Sequence, residues 1–351
     1  MKRQTRRILS LAVILLLCGG AYFGLRAWNA GQEAREEEGE EAVSVTALGE
    51  ITTLSFENDE GTTLAFEQRN GVWSYRDDPA FPLEQSYLET LEGILADLTA
   101  VRSFAAADAL ADYGLEEPAQ TVFAETADGE TLTLYIGDSI GANYYARLEG
   151  GDVVYTIDGT LVSGTSYTLL EMAVIEEFPA LSEETLERVT VETEGVGVTL
   201  RKETAAHEEE IQVDTGETDE NGNPVYETET ETTYTYTWYL VTEGGDVEIP
   251  AESAVLADYQ RTLSALAFSA CVHYNVDDAA ISDCGLDVPD VVTVAYEDGA
   301  VTLYIGEKDE AGDYYAMLEG SSAIYSLSAA QAEAILGLDE AMLKADGADA
   351  S

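Results

Sequence analysis

The chain says the same thing twice, so it has to fold as two related bodies. Residues 131–150, TLTLYIGDSIGANYYARLEG, return at 300–320 as AVTLYIGEKDEAGDYYAMLEG. TLYIG is identical at Thr133–Gly137 and Thr302–Gly306, and Tyr144–Gly150 differs from Tyr314–Gly320 at one position. The match extends outward, with DYGLEEP (Asp112–Pro118) aligning on DCGLDVP (Asp283–Pro289) and Val153–Ile157 on Ala323–Leu327. Upstream, Trp73 matches Trp238, and Phe81-Pro82 matches Ile249-Pro250. A period this long excludes a solenoid and means tandem homologous domains of about 130–150 residues each.

Within each copy the patterning predicts antiparallel sheet plus one main helix, an α+β fold. Ile51, Leu54 and Phe56, then Leu64 and Phe66, then Trp73 and Tyr75 alternate as a meander, with turns at Asn58–Gly61 and Asn70-Gly71. After Phe81-Pro82, the residues Leu83, Leu88, Leu91, Leu95 and Leu98 fall on one helical face, and Leu256, Tyr259, Leu263 and Leu266 do so in the second copy. Further strands are expected over 100–104, 121–126, 131–136, 144–148 and 153–157, with a hairpin at Asp128-Gly129. Short terminal helices are expected over 164–175 and 329–336. Gly114 and Pro118 mark a fixed corner, and Gly137 and Gly306 are expected to end their strands with positive φ.

The copies differ by an insert of about thirty residues at 203–233. It reads as an extended two-stranded arm turning at Asn221-Gly222-Asn223-Pro224. Asp219, Asn221 and Asn223 hint at a calcium loop, but Pro224 stands where an EF-hand needs Gly, so a hairpin tip is favoured.

The N-terminus reads as a membrane segment. Lys2, Arg3, Arg6 and Arg7 precede a run from Ile8 to Leu25 without a charge. As a helix rising ~1.5 Å per residue it spans about 27 Å. The basic flank orients it with the N-terminus cytoplasmic and the rest extracytoplasmic. A cleaved signal peptide is the rival reading, and it exports the same residues. The organisation expected is a basic flank and transmembrane anchor over 1–26, an acidic linker over 27–46, repeat domains over 47–178 and 179–340, and a tail over 341–351.

Charge narrows the partners. The chain carries 69 acidic against 16 basic residues, five of the latter in the anchor. Such a field repels nucleic acid. Chemistry is sparse: the two histidines, His207 and His273, are not shared between copies, and no CxxC, HExxH or Walker loop occurs. Paired carboxylates are too abundant to discriminate. Accordingly no catalytic, cofactor-binding or metal-ligating residue is assigned, and no cofactor is expected. Two sets remain as candidates. Tyr135, Tyr144 and Tyr145 recur as Tyr304, Tyr314 and Tyr315, readable as a binding strip or as cross-strand aromatic ladders. Cys271 and Cys284 could form a disulfide or remain buried thiols.

The order Trp, Phe/Ile-Pro plus helix, YGLEEP/CGLDVP, LYIG, YYA and VY resembles the bacterial domain-of-unknown-function family 4340. The resemblance covers about 47–175 and 187–338. It implies a membrane-anchored, exported protein, some of whose relatives are similar to, or encoded beside, auxiliary components of ABC-type transporters of the gliding-motility kind. It implies no catalytic residues. The expected function is a non-enzymatic, single-pass extracytoplasmic scaffold or binding protein, an accessory subunit of an ABC-type transport complex. The alternatives are an envelope structural or ligand-binding protein independent of transport and, behind both, a carboxylate-based envelope hydrolase.

Overall fold

A computed structural model describes residues 42–106, 109–218 and 224–349. The anchor, Cys18, most of the acidic linker and the tip at Asn221–Asn223 lie outside the described residues. Among the described residues no helix is long and apolar enough to cross a membrane. The chain divides into two compact units, one ending at Met172 and the other starting at Ala173. Each is built on one nine-stranded antiparallel sheet.

The first unit contains β1 (Val43–Ser44), β2 (Ile51–Glu57), β3 (Thr63–Arg69), β4 (Val72–Tyr75), β5 (Thr99–Ala105), β6 (Gln120–Thr126), β7 (Thr131–Ile140), β8 (Asn143–Leu148) and β9 (Val153–Asp158). They are ordered β1-β5-β9-β8-β7-β6-β2-β3-β4. Cross-strand partners share a face, so the register strings Leu54, Phe66, Ala124, Leu134 and Ala146 into one apolar surface. Helix α1 (Gln85–Ala96) buries Leu88, Leu91 and Leu95. Its C-terminal end is latched by Thr46, whose Oγ1 donates to the Leu95 carbonyl at 2.6 Å and accepts from Leu98 N at 2.9 Å.

That latch corrects the expected linker. Residues 43–46 belong to the first fold: Val43 and Ser44 pair with Ala100 and Thr99, and Val45 and Thr46 are buried. The terminal helix expected over 164–175 is also displaced, forming earlier as α2 (Thr160–Thr165) and then a single 3-10 turn, Leu170–Met172. Asp158 starts it, accepting from the backbone N of Thr160 at 2.8 Å.

The second unit repeats this plan with β10 (Leu186–Thr193), β11 (Val196–Thr218), β12 (Pro224–Val241), β13 (Val247–Ile249), β14 (Ala270–Tyr274), β15 (Asp290–Tyr296), β16 (Gly299–Lys308), β17 (Tyr314–Leu318) and β18 (Ala323–Leu327). Their order is β13-β12-β11-β10-β15-β16-β17-β18-β14. This is the first sheet's order from the β4 side, with β13 added at one edge where the first unit adds β1 at the other. Its helices are α3 (Ala254–Ser264), α4 (Asp278–Asp283), α5 (Ala329–Leu336) and α6 (Glu340–Asp349). The segment read as a tail is thus helical to Asp349, with Leu343 buried.

Candidate functional site

In both repeats the glycine of LYIG lies against the YGL/CGL corner. Gly114 adopts φ 66° at the end of a 3-10 turn, and Gly285 adopts φ 69° after α4. Gly137 and Gly306 do not have positive φ, contrary to expectation, and their strands continue past them with a register shift. Their constraint is proximity. A Cβ on Gly137 would stand 2.2 Å from the Tyr113 carbonyl oxygen, and one on Gly306 would stand 2.1 Å from that of Cys284. The YGL/CGL corner therefore rests backbone to backbone on the LYIG strand. There it seals a small second core, Tyr113, Leu115 and Val154 in one unit and Cys284, Leu286 and Ile324 in the other.

This second core places the candidate tyrosines. Tyr135 and Tyr145 pack on it beside Phe104, and Tyr304 and Tyr315 pack on its counterpart. Tyr113 and Tyr145 meet edge to face at 5.1 Å. Tyr144 pairs with Ile157 and Tyr314 with Leu327, so both lie on the opposite, α1-type face of their sheets. The six tyrosines are thus divided among four surfaces. The two cysteines are likewise separated, as free thiols. Cys271 pairs with Tyr325, while Cys284 packs on Ile324. Adjacent residues of one strand face opposite ways, so a disulfide would have to cross the sheet. Burial pushes both thiols above the usual range.

The insert forms an exposed arm. β10 last pairs with β11 at Arg201, and β13 pairs only with Trp238–Leu240. From Glu203↔Thr237 to Asp214↔Tyr226 the two strands have only each other, over twelve residues of β11. At ~3.4 Å per residue this ribbon is about 40 Å long. One face carries Glu227, Glu229 and Glu231, with Glu209 directly opposite Glu231. The other carries Tyr226, Thr228, Thr230, Thr232, Tyr234 and Tyr236. Residues 203–233 hold 11 acidic side chains and no Lys or Arg.

Two cations stand at the foot of the arm, on opposite faces. Arg201 donates to Asp246 Oδ2 at 2.8 Å and to Glu203 Oε1 at 2.9 Å, and it lies 5.0 Å from the Tyr239 ring centre. Lys202 Nζ donates to the Glu183 carbonyl at 2.9 Å and sits 4.7 Å from the Tyr236 ring centre. Burial lowers the Lys202 pKa, against the raising influence of Glu187, Glu183, Glu297 and Glu184. An open cleft of about 720 Å³ here is lined by Glu184, Glu187, Lys202, Tyr234, Tyr236 and Glu297. Among the described residues no group of His, Cys, Asp or Glu converges to hold a metal ion.

The family model for "Domain of unknown function (DUF4340)" matches residues 73–235 and 238–344. The chain belongs to the DUF4340 family. Both matched segments begin at the repeated tryptophan, Trp73 or Trp238. No curated protein and no solved structure matches at a significant level. In each repeat of this DUF4340 chain the YGL/CGL corner is docked on the glycine of LYIG.

Proposed function

We propose that this DUF4340 protein is a non-enzymatic, membrane-anchored extracytoplasmic scaffold or binding protein that engages its partner through the arm. The arm carries the reading. A two-stranded ribbon has no second layer on which to bury a face and is marginal on its own, so a length of about 40 Å gains little from folding. A contact surface accounts for it. With 11 acids and no Lys or Arg in 203–233, its complement is a Lys/Arg-rich face of a neighbouring envelope protein. The paired glutamates also keep the open strand edges from joining other copies of this chain. By family resemblance, the partner is a subunit of an ABC-type transport complex.

The test is in-cell crosslinking of a C-terminally tagged chain, with mass spectrometry of the membrane fraction. Recovery of permease and ATPase subunits, lost when 204–236 is replaced by a two-residue Asn-Gly turn, is the expected result. Recovery that is unchanged by the deletion refutes the role of the arm. Partners confined to wall-associated proteins refute the transport assignment, and turnover of an envelope substrate by the purified chain refutes the non-enzymatic one.

A further inference from the structure

The two repeats treat the space over one shared tyrosine differently. Tyr144 and Tyr314 hold equivalent places, pairing with Ile157 and Leu327. On the neighbouring strand, Ser139 pairs with Tyr144 and Lys308 with Tyr314. At equal steps beyond Ile157 and Leu327, on α2 and α5, stand Ser163 and Glu333. In the second repeat these positions close over the ring. Lys308 Nζ lies 4.8 Å from the Tyr314 ring centre and donates to Glu333 Oε1 at 2.7 Å. The face of a tyrosine and a carboxylate oxygen both favour an ammonium. In the first repeat the same two places carry serines, both exposed.

The small serine side chains leave an open cavity of about 430 Å³ beside Tyr144, also lined by Ser163 and by Gly137 of LYIG. Glu57 and Asp59, at the turn from β2 to β3, bring two carboxylates to it. Gln120, 5 % exposed, holds one of them in place. Its Nε2 donates to Asp59 Oδ1 at 3.3 Å, while its Oε1 accepts from Thr165 Oγ1 at 3.2 Å. Among the described residues no Lys or Arg lines this cavity. An aromatic face and carboxylates, which surround the Lys308 ammonium in the second repeat, thus meet in the first with serine in place of the lysine. Among the described residues no set of acidic side chains converges to hold a metal ion, so the charge complement is an organic cation.

We propose that this cavity of the first repeat binds a small ligand bearing a primary ammonium group, its charge over the Tyr144 ring and facing Asp59 and Glu57, where Lys308 serves in the second repeat. The inference is independent of the arm and of transport. The site escapes a single-copy reading of the sequence, because Ser139 and Ser163 are unremarkable until they are laid on Lys308 and Glu333.

Ile-Gly occurs in the chain only at Gly137, Gly141 and Gly306. The full chain, solubilised in non-ionic detergent and labelled with ¹³C at isoleucine carbonyls and ¹⁵N at glycine, therefore gives one carbonyl-filtered amide resonance for each. Ile136→Val and Ile140→Val each remove one and complete the assignment. The chain is titrated at constant ionic strength with n-butylammonium, with its neutral isostere 1-butanol, and with calcium. n-Butylammonium is expected to shift Gly137 saturably and leave Gly306 unmoved, with 1-butanol at least about fivefold weaker. Ser139→Lys with Ser163→Glu installs the ion pair of the second repeat at two exposed positions and is expected to weaken n-butylammonium at least about tenfold. Asp59→Asn with Glu57→Gln keeps both shapes and is expected to weaken it at least about threefold. A Gly137 resonance that ignores n-butylammonium overturns the proposal. So does one that drifts with Gly306 without saturating, as general attraction to an acidic surface would make both do. An unchanged affinity in either pair of substitutions is equally fatal. 1-Butanol binding as tightly as the amine, or calcium binding more tightly, overturns the ammonium assignment.

Discussion

Replacing Gly137 by alanine isolates the contact between the LYIG strand and the YGL corner. The new Cβ would lie 2.2 Å from the Tyr113 carbonyl oxygen, about 1.2 Å short of an ordinary contact at 3.4 Å. The obstacle is backbone, so no side chain can swing aside, and the 113–118 corner has to lift off the strand. Overpacking of this kind costs about 1–3 kcal/mol. Loosening Leu115, which is 2 % exposed, forfeits part of the ~1.5–3 kcal/mol of its burial. Together these imply a loss of about 2–5 kcal/mol. The control is Gly150→Ala, where a Cβ meets nothing within 4 Å but φ is 71°, for an expected cost of about 1–2 kcal/mol. Urea unfolding followed by far-UV circular dichroism, with both variants compared at a common slope, measures the difference. If Gly137→Ala costs no more than Gly150→Ala, the docking is not the reason for glycine in LYIG and the reasoning fails.

Other perturbations test other parts of the structure. Glu92→Leu leaves Trp73 Nε1 buried without its acceptor and is expected to destabilise the first unit by about 1–3 kcal/mol in the same urea assay. Thr46→Val removes both hydrogen bonds of the latch and should cost about 1–2 kcal/mol. Native chain treated with iodoacetamide near pH 8 should alkylate slowly at Cys271 and Cys284 and rapidly in urea, with no disulfide by mass, because both thiols are buried and raised. Tyr325 is pushed up to about 12 by burial and by Glu176, and burial also raises Tyr259. The unfolded chain therefore ionises these phenols first, and the stability they contribute is present below about pH 10 and lost between 10 and 12. Tyr325→Phe should flatten the alkaline end of the stability profile of the second unit.

Much of the scaffold is legible in the sequence because alternation is a local signal. The strand read at 131–136 appears within β7, and α5 appears where 329–336 was read. What local signals miss is contact at a distance. Gly114 and Gly137 are each visible as glycines, but nothing in the string says that they meet, so Gly137 reads as a turn residue when it is a landing surface. Thr46 reads as linker because its partners, Leu95 and Leu98, lie about fifty residues away. The tyrosines read as one strip because adjacent letters, Tyr144 and Tyr145, point through opposite faces of a strand. The helices are the reverse case: Leu88-Leu91-Leu95 and Leu256-Tyr259-Leu263 share one spacing, and only laying one copy on the other shows that Gln260 stands at the place of Glu92.

The two repeats have also been sealed at different margins. The first borrows Val43–Ser44, from ahead of the repeated region, to cover part of β5, while the second makes Val247–Ile249 to cover the foot of β12. A freshly duplicated gene yields two interchangeable halves, but these are no longer interchangeable. A fragment cut at the repeat boundary, residue 47, leaves its hem behind, and a chain spliced from two first repeats has no Val43–Ser44 for the second of them. The smallest inheritable piece of the first half is therefore longer than the repeat that defines it, and its extra residues come from the stretch that joins it to the N-terminal segment.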